Sequence, residues 1–156
     1  IKINISNSCN YESLSKKLSM LAASTIIDSL KIIEKRNEKF IPQDHKKATY
    51  AKKIEKSETK INWNDGAKSI IAKINALYSN PGSWFELNGS RIKILKAQEI
   101  QKKGKPGEII DDKFTIACKD NSIQILELKK EGKNNMSSTE FLKGNKLKVG
   151  TIIDAI

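Results

Sequence analysis

The stretch of residues 41–63, IPQDHKKATYAKKIEKSETKINW, limits what this chain can fold into more than any other. Pro42 cannot continue a helix and pushes Ile41 out of the helical region. Across the stretch no apolar residues recur at helical or strand spacing, so it has no face to bury. The chain is therefore expected as two apolar-patterned blocks joined by a solvated connector, not as one continuous core. The connector is also where charge gathers. Residues 35–60 hold nine basic and four acidic side chains, so about +5 of the net +11 lies in one-sixth of the chain. One reading is a polyanionic partner, RNA first. The other is coding bias, because Lys, Ile and Asn are abundant together. Bias alone would spread the charge more evenly.

Upstream of the connector, Ile1, Ile3 and Ile5 alternate with polar residues, which predicts a short strand. Asn10 is placed to cap a helix, with Glu12 in its first turn. From Tyr11 to about Lys35, Leu14, Leu18, Leu21, Ala22, Thr25, Ile26, Leu30 and Ile33 fall on one broad face. Nothing else in the first third of the chain can cover that face. Within the connector, residues 48–54 are a candidate short helical turn.

Downstream, Asn64 or Asp65 is placed to cap a second helix carrying Ala67, Ile70, Ile71, Ile74 and Leu77, stopped by Pro81-Gly82. Short strands follow. Trp84, Phe85 and Leu87 lead into Asn88-Gly89, a hairpin signal. In residues 91–97, basic residues alternate with Ile92 and Ile94 until Ala97 falls out of step. Residues 106–110 begin another strand, Asp111-Asp112 turns it, and Phe114, Ile116 and Cys118 alternate. Asp120-Asn121 turns again, before Ile123, Ile125, Leu126 and Leu128. Ser137 or Ser138 caps a short helix ended by Gly144, and Val149, Ile152 and Ile153 suggest a last strand. Several short strands at regular spacing predict a small barrel or sandwich, and the chain as a whole reads as α+β.

Pro42-Gln43-Asp44, Ala48-Thr49-Tyr50-Ala51, Lys53, Lys56 and Ile61-Asn62-Trp63, followed by Ala67 and Ile70, resemble the linker of methionyl-tRNA formyltransferases. Gly132-Lys133 and Met136 resemble that family's Gly-Lys-Lys-x-Met, with Asn134 departing from it. Ile74-Asn75-Ala76 stands where members read Ile-Arg-Ala. The resemblance implies three parts. Residues 1–36 would be a strand-helix remnant of a Rossmann-like formyltransferase domain, 37–60 a basic linker, and 61–156 a small OB-like β-barrel with a leading helix. Residue 1 is Ile, which adds the expectation that the chain starts inside a longer one. The parent enzyme would move a formyl group from 10-formyltetrahydrofolate to the amino group of initiator methionyl-tRNA. Its Asn, His and Asp catalytic residues and its folate pocket would lie in a preceding N-terminal catalytic domain.

No catalytic, cofactor-binding or metal-ligating residue is therefore assigned in residues 1–156, and the chain alone is expected not to formylate methionyl-tRNA. His45, the sole histidine, sits among lysines with no telling partner and reads as an exposed side chain. Asp111-Asp112 reads as a turn pair. Cys9 and Cys118 lie far apart and read as free, mostly buried thiols of a cytoplasmic protein. No apolar run is long enough to span a membrane, and there is no charged-then-apolar leader. Binding remains. Lys52, Lys53, Lys56 and Lys60 in the linker, Lys93 and Lys96 on a barrel edge, and Lys133 are the expected tRNA contacts. Lys102, Lys103 and Lys105 extend that basic edge. Trp84, Phe85 and Tyr78 could stack bases, but their apolar neighbours favour core packing. Left uncovered, the first helix should self-associate. Two other readings stay open: the C-terminal domain of a related formyltransferase or formyl-folate hydrolase acting on a small substrate, and a non-enzymatic OB-type RNA-binding module.

Overall fold

The computed structural model describes residues 1–153. Asn88 and Gly89 both adopt positive φ (50° and 71°), the geometry a two-residue hairpin turn needs to match strand twist. They join β1 (Ser83–Leu87) to β2 (Ser90–Ile100), with Leu87 opposite Ser90. β2 then pairs antiparallel with β4 (Ser122–Lys130). The other side of β4 is shared. Its first half takes β3 (Thr115–Ala117) and its second half β5 (Asn135–Ser137). The result is a five-stranded antiparallel sheet in the order β1-β2-β4-β3, with β5 beside β3 along β4.

The step at Ala97 has a structural cause. Ile94 pairs with Leu128, Lys96 with Glu127, and Ala97 with Ile125, so Leu95 and then Leu126 are skipped. Both strands change phase at the same place. Ile92, Ile94, Ile123, Ile125 and Leu128 all reach the core, while Lys93, Lys96, Glu127 and Lys129 all lie on the outer face.

Helix α2 (Ala67–Ala76) lays Ala67, Ile70 and Ile74 on the inner face of the sheet. Its expected local cap is replaced. The N-cap residue is Gly66, and the Ala67 N–H donates to Asp120 Oδ1 (2.9 Å) from the turn before β4. Asp120 also accepts from the Asn121 N–H (2.7 Å). The Ala67 bond, then the Asn121 bond, hold its carboxyl below the ordinary 3.8. A carboxyl depressed on folding contributes stability that is present above its unfolded pKa and lost as pH falls through the folded one. Melting temperature should therefore drop from about pH 4 downward, and Asp120→Asn should flatten that drop. Parallel acid profiles for the two proteins would rule the cap out as its source.

Four aromatics run through the core. Trp63 meets Phe85 edge-on (5.5 Å), Phe85 meets Phe114 edge-on (6.3 Å), and Phe114 stacks on Phe141 (5.5 Å, 9°). Phe141 belongs to α3 (Ser138–Gly144), capped by a reciprocal Ser137/Glu140 box. The expected strand at residues 106–110 is reduced to single bridges, Glu108 with Ile152 and Ile109 with Ile116. The Ile153 N–H donates to the Gly107 carbonyl (2.8 Å). Gly107 (φ +85°) lies so close to this segment that a Cβ would sit 2.7 Å from the Ile153 carbonyl oxygen.

Helix α1 (Tyr11–Glu34) starts where expected, with an Asn10/Ser13 capping box, but buries no residue. Leu18, Ile26, Leu30 and Ile33 are about half exposed. The expected strand at residues 1–5 does not form, because nothing in the described residues pairs with it. Residues 48–54 are not helical either; short 3-10 turns flank them at His45–Lys47 and Lys56–Thr59. Asn75 Nδ2 donates to the Asn7 carbonyl (3.1 Å), a tie between the first residues and α2. Both cysteines are free: Cys118 is buried, which pushes its thiol up to about 12, and Cys9 is half-buried.

Candidate nucleic-acid interface

The connector meets the sheet at Trp84. The Ile61 N–H donates to the Trp84 carbonyl (2.8 Å), and Lys60 bridges Trp84 in parallel. The indole Nε1–H donates to Thr59 Oγ1 (2.9 Å). Lys73 Nζ, from α2, donates to the Lys60 carbonyl (2.8 Å). The end of the connector is thus fixed to strand and helix together, while Lys52, Lys53 and Lys56 before it lie exposed, the first two on chain without regular structure and Lys56 at the start of a 3-10 turn. Among the described residues none of these three has a carboxylate within 4 Å.

Trp84 does not enter the core. Phe85 points inward and is 1% exposed, as does Trp63 at 2%, so Trp84 is left half-buried on the outer face. Two cations cover it. The Arg91 guanidinium lies 4.0 Å from the ring centroid, and Lys60 Nζ lies 5.7 Å away. Directly opposite Trp84 on β2 is Lys93, and directly opposite Lys93 on β4 is Lys129. One cross-strand row of the outer face therefore reads Trp84, Lys93, Lys129.

Of the expected contacts, Lys60 and Lys93 come together at Trp84. Lys96 shares the outer face but is neutralised by Glu127 (3.9 Å). Lys133 is exposed in the β4–β5 turn, where its N–H donates to the Lys130 carbonyl (3.0 Å). Lys102 is held by Asp111 (2.8 Å), while Lys103 and Lys105 are exposed. Burial works to raise the Asp111 pKa. The Lys102 bond, with donors from Thr115 and Lys113, outweighs that and leaves it below its ordinary value. Asp111 is thus a turn and ion-pair residue. His45 is exposed in its 3-10 turn, and Tyr78 is half-buried beside α1. Among the described residues, no cluster of three His, Cys, Asp or Glu side chains could hold a metal ion.

Arg91 and Lys129 were not singled out by the sequence reading. The signal was there: the adjacent apolar pairs Ile94-Leu95 and Ile125-Leu126 mark the phase change, and counting outward from them puts Lys129 on the face of Lys93.

Residues 53–146 match the family described as Formyl transferase, C-terminal domain. The chain is 43% identical over 153 residues to a methionyl-tRNA formyltransferase of Pelagibacter ubique, covering 97% of this chain and 49% of that protein. It is 35% identical to the methionyl-tRNA formyltransferase of Bradyrhizobium diazoefficiens, covering 96% and 49%. The chain thus spans about half the length of the curated relatives it matches. Among solved structures, a HypX variant from Aquifex aeolicus superposes with a TM-score of 0.67 at 22% identity, over 96% of this chain and 31% of that one. HypX from the same organism in complex with tetrahydrofolic acid gives 0.58 at 24%, over 82% and 26%. These two are likenesses of fold.

Proposed function

The chain belongs to the formyl transferase C-terminal domain family, and from that premise we propose that it is the tRNA-gripping C-terminal part of a methionyl-tRNA formyltransferase. The parent enzyme transfers a formyl group from 10-formyltetrahydrofolate to the amino group of initiator methionyl-tRNA in the cytoplasm. Residues 61–156 act as its OB-like barrel, 37–60 as its basic linker, and 1–36 as the end of its catalytic domain. That domain covers the apolar face of α1; where it is absent, α1 faces meet between copies. Lys52, Lys53, Lys56 and Lys60 hold the phosphate backbone, with Lys93, Lys96 and Lys133 on the barrel. The observation that carries this reading is the exposed linker group of Lys52, Lys53 and Lys56, without ion-pair partners among the described residues, leading into the anchored Lys60. Cations left unneutralised on an exposed stretch of chain gain affinity for a polyanion by releasing its counterions.

The test is binding of the chain to initiator tRNA and to an unrelated structured RNA across a salt series. Both should bind, with affinity falling steeply as salt rises, by a slope of about 0.7–0.9 per phosphate neutralised. Absence of binding to either RNA near 150 mM salt would refute the proposal.

A further inference from the structure

We infer that the connector is a docking segment and not a solvated spacer: Phe40, Ile41 and Tyr50, with Ile54, seat on the catalytic half that precedes this chain in the parent enzyme. The inference rests on the reading of the chain as the C-terminal part of such an enzyme. It adds a protein partner to a segment whose lysines face RNA.

The first observation is bare apolar surface. Phe40, Ile41 and Tyr50 are 88%, 89% and 93% exposed, more than any large apolar side chain of α1, and Ile54 is about half exposed. Single exposed apolar side chains need no explanation. Here four fall within residues 40–54, three of them nearly bare, on a connector that gains nothing from them in water. Their lack of helical or strand period is no obstacle, because irregular chain seats its anchors one at a time.

The second observation is what the connector does with its backbone. Residues 37–60 contain no Gly and a single Ser, so the composition is not that of a freely flexible spacer. Yet among the described residues, 38–58 make no hydrogen bond to the sheet, to α1 or to α2. Their bonds stay within the two 3-10 turns and the caps of those turns. The remaining N–H and C=O groups are free to pair with another surface.

The third observation identifies that surface. The match to the C-terminal domain family starts at residue 53, after Phe40, Ile41 and Tyr50. The curated relatives are about twice as long as this chain, so half of such a protein is available to receive them. That half is already read as covering α1, whose half-exposed Ile33 precedes Phe40 by a few residues. One partner surface then meets both. Aromatic rings can also stack on bases, but Ile41 and Ile54 have no ring, and aliphatic side chains need a dry apolar surface. The set as a whole therefore fits protein better than RNA.

The test is amide hydrogen exchange of residues 38–55, in this chain and in the full-length parent enzyme, each without and with initiator tRNA. In the chain alone these amides should exchange almost as fast as in an unstructured peptide. In the parent without tRNA they should be slowed by about tenfold or more. Phe40→Ser combined with Tyr50→Ser in the parent should restore the fast rate and leave the β4 amides unchanged. Equal rates in the chain and the wild-type parent would overturn the inference. Slowing that appears only when tRNA is added would assign these side chains to RNA and overturn it as well. If the variant also speeds β4 exchange, it has unfolded, and the wild-type comparison decides. RNA titrations judge the lysines separately, without reference to exchange in the free enzyme. A reading frame with no formyltransferase catalytic domain upstream would remove the parent reading itself, and this inference with it.

Discussion

Phe85→Ala is expected to cost the sheet domain about 3–5 kcal/mol, the usual range for truncating a buried aromatic. Phe85 is 1% exposed and is the one ring that touches both Trp63, from the end of the connector, and Phe114, just before β3. Removing it opens a cavity where three segments meet, and it also removes two edge-on aromatic contacts, each worth about 0.5–1.5 kcal/mol beyond buried area. Domains of this size are stable by only about 5–15 kcal/mol, so the loss takes a large part of the total. The urea midpoint should fall by roughly 2 M. Ile26→Ala is the matched control. That side chain is 54% exposed on α1, and its loss should change stability by less than about 0.5 kcal/mol. A Phe85→Ala protein that unfolds at the wild-type midpoint would mean that the aromatic line is not what joins connector to sheet.

Reversing Lys52, Lys53 and Lys56 to Glu should remove a large share of the salt dependence of RNA binding. If each lysine neutralises one phosphate, three lost contacts lower the slope of log affinity against log salt by about 2–3. The introduced carboxylates add repulsion, so association should slow most at low salt. Stability should hardly move, because the three side chains are exposed and have no ion-pair partner among the described residues. Affinity and slope like those of wild type would show that the linker charge is compositional. That result would bring forward the reading in which a small molecule replaces tRNA as substrate.

Features written by neighbouring residues were legible in advance. The Asn10 cap of α1, the Asn88-Gly89 hairpin and the Ser137 cap of α3 each depend on a few adjacent positions. The core face of α2 followed from period alone, and those of β2 and β4 on either side of the point where both strands change phase. What sequence missed depends on distant partners. The cap of α2 comes from Asp120, 53 residues along the chain, and no local rule points there. Residues 1–5 have the alternation of a strand, but alternation says which face is apolar and not whether a partner exists. The apolar neighbours of Trp84 point it toward the core. Strand parity sends Phe85 and Trp84 to opposite faces, and the core takes Phe85.

Burial is shared unequally between the two halves of the molecule, and amide protons will register the difference. β4 is paired on both sides and carries Ile123, Ile125 and Leu128, which are completely buried. Its amides can exchange with solvent only when the whole sheet opens. Helix α1 has 24 residues and buries none of them, so its hydrogen bonds are held by little beyond the helix itself. It frays and reforms while the sheet stays shut, and the chain behaves as two cooperative units with separate opening free energies. A partner that settles on α1 would then make itself known first as slowed exchange along that helix, with the sheet amides unchanged.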